Sequence, residues 1–214
     1  MGMDAFFDLP GWKCESSQVL IQFLVYLYLL AVILLKVLTS MVGGKNMTVI
    51  QNKQENSKNK AIFAGRNLWS GILFGLGFVA FLDETLFHQL LHWHKFYDKS
   101  TLTVGLISDG LFHAFSWFAT VGGLFLLADL RRHHALWHKM WWGGKLLGAG
   151  VFQLYDGTIQ HKIMRIHQIR YNVNVLPYDL VWNISAAIMI VVGIGLIVRA
   201  KRDQRNGNGV FSHA

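Results

Sequence analysis

The sequence predicts an all-α integral membrane protein with five transmembrane helices. One leading helix precedes a tandem-duplicated pair of helical hairpins that form a four-helix bundle. Three observations predict this. The 214 residues are 53% hydrophobic and only 15% charged, whereas a soluble domain carries about a quarter charged residues. The apolar residues gather into runs near the length of about 20 that a membrane-spanning helix needs. A pattern of low-frequency residues also recurs without gaps at an interval of 73 residues. The same composition excludes a disordered or collagen-like chain, and a single cysteine, Cys14, leaves no internal disulfide and no CxxC motif.

The expected spans are Val19–Val42, Leu68–Phe87, Val104–Leu127, Trp141–Ile159 and Leu180–Val198. The first is too long for the apolar region of a signal peptide. Its leader, Met1–Gln18, is acidic (Asp4, Asp8 and Glu15 against Lys13) where a signal peptide would be basic. Five spans place the loops 43–67, 129–140 and 199–214 on one side, with 12 lysines and arginines against six on the other. The positive-inside rule then puts the N-terminus outside and the C-terminus in the cytoplasm. The net charge of +8 is thus a topology signal and gives no support to nucleic-acid binding. The expected organisation is an N-terminal segment with the first helix (1–43), a cytoplasmic linker (44–67), two hairpins (68–132 and 133–200) and a basic tail (201–214).

The repeat pairs Trp69 with Trp142, Gly71 with Gly144, Gly75 with Gly148 and Gly77 with Gly150. It continues with Asp83 and Asp156, His88 and His161, and His94 and His167. The following helices match at an interval of 70, pairing Asp109 with Asp179, His113 with Asn183 and Gly123 with Gly193. Both copies start and end on the same side, so they are parallel repeats about an axis along the membrane normal. The glycine faces read as close helix packing. The tryptophans Trp93, Trp137, Trp141 and Trp142 read as interfacial belts. His133, His134 and His138 read as part of a solvated basic loop.

In this topology four helices carry His and Asp to one level near the outer face. Ionisable groups at membrane depth are costly and are functional by default. Imidazole with carboxylate suits zinc, iron, manganese or copper(II), and the lack of clustered cysteine disfavours copper(I). The expected metal ligands are Asp83, His88, His94, Asp109, His113, Asp156, His161 and His167. Asp179, Asn183, Glu84, His92 and Arg170 are expected to support them. Asp109 and His113 share a helix face at i, i+4. The Asp-x4-His pairs do not, since five residues turn an ideal helix by about 140° beyond a full turn; both members point one way only if the helix loosens there, and otherwise one serves the metal and the other a neighbouring helix. Glu84 and His92 rank lower because Gly157 and Arg165 replace them in the second copy. Haem, with His88 and His161 as axial ligands, ranks below a metal ion because it would leave the carboxylates unexplained.

The motifs GILFGLGFVAFLDETLFHQLLHWH, SDGLFHAFSW and GAGVFQLYDGTIQHKIMRIHQIR resemble a bacterial multi-pass membrane family catalogued as domain of unknown function 2243. The resemblance spans about Leu68 to Val198. It implies a membrane protein whose relatives are sometimes joined to a copper-assembly-like module of respiration. Metal handling and respiratory membrane proteins follow as themes and partners, beside the lipid bilayer and a possible oligomer. In the family pattern the second motif has Glu, Asp, His and His where this chain has Asp156, Gln160, Lys162 and Gln168. The function expected is a membrane metalloprotein, of which an oxidoreductase is one form. Metal transport or delivery and a structural role in a respiratory complex are the alternatives.

Overall fold

The computed structural model describes residues 52–206, together with Tyr28. The expected first span, Val19–Val42, and the ends of the chain lie outside the described residues. Within them the fold is all-helical, with no strands. Helix α1 (Asn52–Asp83) runs on as a π-helical segment, Glu84–Leu90. A short connection leads to α2 (Leu102–Arg132), which turns tightly into α3 (His138–Tyr155). A second π-helical segment, Asp156–Met164, extends α3, and α4 (Leu176–Arg205) follows.

Three helical stretches are long and apolar enough to cross a membrane: Ala61–Leu90, Leu102–Arg132 and Leu176–Arg205. The expected span on α3 does not reach that apolarity, and its packing explains why. α3 lies between α1 and α4, and Gly143, Gly144, Gly148, Gly150 and Gln153 are all buried there. A helix covered by protein on two sides does not need lipid-facing bulk. Helix α4 is the opposite case, with Val181, Ile184, Ile188 and Val191 exposed along its length.

The helix contacts run α2–α1–α3–α4, an open chain of neighbours. Among the other α-helices α4 packs on α3 alone, and α2 on α1 alone. At the centre α1 and α3 approach closely. A Cβ on Gly71 would strike the Trp141 carbonyl, and one on Gly144 the Leu68 carbonyl. Gly75 and Gly148 meet the Lys145 and Ile72 carbonyls in the same way.

Several contacts come in pairs whose members are 73 residues apart. The glycine contacts just described are two such pairs. Trp93 N donates to Phe87 O at 2.8 Å, and Ile166 N to Gln160 O at 3.1 Å. His92 and Arg165 each close a π-helical segment at positive φ, 49° and 52°.

The core below the π-helical segments is apolar, built from Ala80, Phe112, Phe115 and Phe152 and continued by Leu73, Ala119 and Leu126. At the basic end Asn67 ties the α2–α3 turn to α1. Its Nδ2 donates to Phe63 O and Ala135 O, and its Oδ1 accepts from Trp137 N at 2.7 Å.

Candidate metal centre

The π-helical segments put the Asp-x4-His pairs on one face. A π-helix bonds residue i to i+5, so side chains five apart come together where an α-helix would separate them. Asp156 Oδ2 lies 3.2 Å from His161 Nε2, and Asp83 Oδ2 lies 3.9 Å from His88 Nε2. Of the two alternatives that the spacing leaves open, the helix is loosened in both places.

The connections after each π-helical segment deliver His94 and His167. His94 Nδ1 lies 3.0 Å from Ile169 O, and His167 Nδ1 lies 2.9 Å from Phe96 O. Each histidine thus reaches into the other hairpin's connection. A carbonyl oxygen can only accept, so both Nδ1 atoms carry the proton and both Nε2 atoms keep a lone pair. His94 lies outside the spans, and its imidazole is held well below its ordinary pKa. Burial is the main cause, followed by the neighbouring His167, His88 and His161. It is therefore a neutral ligand by geometry and by environment.

His94 and His167 stack with centroids 4.6 Å apart and planes 5° from parallel. His88 lies 4.5 Å from His94, and His161 lies 4.7 Å from His167. His167 Nε2 is also 3.4 Å from Asp156 Oδ1. All four histidines are buried, as are Asp83, Glu84, Asp109 and Asp156. The Nε2 atoms of His88, His94, His161 and His167 have no hydrogen-bond partner among the described residues. A buried polar atom left unsatisfied costs about 1–3 kcal/mol. Three sets of donor atoms lie close enough to hold an ion: Asp83, His88 and His94; His94, His161 and His167; and Glu84, His88 and Asp109.

The last set is largely committed to protein contacts. Asp109 Oδ1 accepts from Phe96 N at 2.7 Å and contacts His88 Nδ1 at 3.2 Å, while Lys95 Nζ lies 3.4 Å from Oδ2. Glu84 Oε2 is 2.8 Å from His88 Nδ1, and its Oε1 accepts from Gln89 Nε2 at 2.7 Å. These carboxylates stand behind His88 and fix its ring.

The structure gathers seven of the expected ligands: Asp83, His88, His94, Asp109, Asp156, His161 and His167. It does not bring His113 among them. His113 is exposed on α2, its ring 5.3 Å from Phe81. Sharing a face with Asp109 was not sufficient, because one helical turn carries His113 past the edge of the cluster. Among the supporting residues, Glu84 is completely buried against His88, a closer role than its missing counterpart suggested. His92 is exposed. Asp179 pairs with Lys162 and Asn183 Nδ2 donates to Asp179 O, so both are held beside the cluster by their own contacts. Arg170 donates to Tyr178 OH at 2.7 Å and lies over the Trp93 ring. Sequence reasoning gave no role to Lys95, whose contact with Asp109 depends on how the connection folds back.

Neither a curated protein nor a solved structure matches the chain. A family model does match, over residues 70–200, which includes both π-helical segments and every residue of the cluster. The chain belongs to the family described as "predicted membrane protein", DUF2243, and it is a membrane protein of that family.

Proposed function

We propose that the protein is a membrane metalloprotein whose centre is built from Asp83, His88, His94, Asp156, His161 and His167. The observation that carries this reading is the group of four buried imidazole Nε2 atoms without hydrogen-bond partners, grouped beside two carboxylates. A metal ion would satisfy the lone pairs and neutralise the carboxylates together. Nitrogen and oxygen donors suit zinc, iron, manganese or copper(II). Iron, manganese or copper(II) would give the site redox chemistry, and zinc would activate water. The buried carboxylates Asp83 and Asp156 beside these histidines favour a cation over a porphyrin, which would leave them without a role.

The architecture we infer is the leading helix followed by two duplicated hairpins, five spans in all, with the metal centre toward the outside of a bacterial inner membrane. The contact pairs 73 residues apart support the duplication, and the basic α2–α3 turn supports the orientation. Metal transport is the less favoured reading, because the core below the cluster is built mainly from phenylalanine, leucine and alanine, with Gln153 the main polar exception.

Elemental analysis of the purified full chain, with EPR spectra, tests the proposal. Stoichiometric transition metal is expected, reduced in His88→Ala and His161→Ala. Wild-type protein without bound metal, even after incubation with each of these ions, overturns it.

A further inference from the structure

The metal reading leaves open how many ions the cluster holds. We infer that it holds two unequal ions, one on Asp83, His88 and His94 and a tighter-to-weaker contrast with a second on Asp156, His161 and His167. This rests on the metal reading above and deepens it.

The stacked pair carries the argument. An imidazole lone pair lies in the plane of its ring, and a ligand nitrogen sits about 2.1 Å from its ion. The His94 and His167 rings are stacked 4.6 Å apart and only 5° from parallel. Lone pairs lying in two stacked parallel planes do not converge on one ion. Each ring also offers a single nitrogen, because its Nδ1 is committed to a carbonyl. His94 therefore cannot serve both of the donor sets in which it falls. Allocating it to Asp83 and His88 leaves His161 and His167 of the other set. Asp156 stands beside both, its Oδ2 3.2 Å from His161 Nε2 and its Oδ1 3.4 Å from His167 Nε2, so each ion then has two imidazoles and one carboxylate. Distances agree with this division. His88 and His94 are 4.5 Å apart and His161 and His167 are 4.7 Å apart, whereas the crossed pairs His88–His167 and His94–His161 are 6.0 Å and 6.2 Å apart.

The two positions differ in what stands behind them. His88 Nδ1 is backed by Glu84 and Asp109. His161 Nδ1 has no hydrogen-bond partner among the described residues, and glycine stands at 157 where Glu84 stands in the first hairpin. Carboxylate backing of a ligating histidine typically changes metal affinity by about 10–100-fold. The Asp83–His88–His94 position is therefore the tight one, and the other exchanges its ion more readily.

Titration of the metal-stripped full chain in detergent with Co2+, read by visible absorption and by bound metal per chain, tests this. Two ions per chain are expected, in two steps at least about tenfold apart in affinity. His161→Ala should abolish the weaker step and keep the tighter one. Glu84→Gln should weaken the tighter step about tenfold and leave the weaker one in place, a readout that does not require removing a ligand. One ion per chain, or a single step lost alike in His88→Ala and His161→Ala variants that remain monodisperse, overturns the two-ion inference alone. Equal weakening of both steps in Glu84→Gln overturns the inequality. No bound ion at all overturns the metal reading itself.

Discussion

At the residue scale, polar side chains in this protein are placed by partners from distant parts of the chain. His94 and His167 are oriented by carbonyls of the opposite connection, 75 and 71 residues away. Their replacement should therefore loosen both connections as well as remove a ligand. His94→Ala is expected to lower metal content per chain, measured by elemental analysis, while the more exposed His113→Ala leaves it unchanged. Asn67 shows the same principle at the basic end, where its amide uses two donors and one acceptor to hold the α2–α3 turn. Asn67→Ala strands those backbone groups, so a loss of about 1–3 kcal/mol is expected in reversible unfolding in detergent. Periodicity places Asn67 on α1 at the edge of a span but does not reveal its three partners, because they belong to another helix and a turn.

At the element scale, the two π-helical segments do what an α-helix of the same sequence would not. They bring Asp83 to His88 and Asp156 to His161 across an interval of five. Inserting an alanine after Thr85 sets Asp83 and His88 six residues apart, an interval that carries them about 120° off a common face of an α-helix. Metal content should then fall while far-ultraviolet circular dichroism still reports a helical protein. Retained metal in the insertion variant would show that the pairing across five residues is dispensable. The glycines between α1 and α3 are a separate device. Gly148→Leu forces a side chain against the Ile72 backbone, so destabilisation of about 1–3 kcal/mol or more is expected from overpacking. Thermal melting in detergent would detect it. Here the sequence was informative, since the small-residue faces were legible from their spacing and the glycine contacts explain them.

At the scale of the whole molecule, the buried cluster sits at one end of the helices and the basic α2–α3 turn at the other. Ion binding to the folded state should stabilise it by mass action, by about 2.7 kcal/mol per site at a free ion concentration of 100 Kd. Chelation is thus expected to lower the melting temperature of the wild type and to have little effect on a His88→Ala, His161→Ala double variant. The inferred orientation is tested by single cysteines in a Cys14→Ser background. A cysteine at His134 should react with a membrane-impermeant maleimide only from the cytoplasmic side, and one at Asn172 only from the outside. The reverse pattern would invert the protein in the membrane.

By itself the sequence determined that the chain is a membrane protein and helical, and it singled out Asp83, His88, His94, Asp109, Asp156, His161 and His167, which the fold brings together. The first two properties follow from local composition and from the length of apolar runs, which the bilayer imposes directly. Tertiary structure decided the rest. It opened two helix ends into π turns, turned His94 and His167 by means of remote carbonyls, drew Glu84 in behind His88 and left His113 out. It also set the order of helix contacts, α2–α1–α3–α4. Each of these depends on where a side chain points once backbones from different hairpins meet, and helical periodicity carries no information about that.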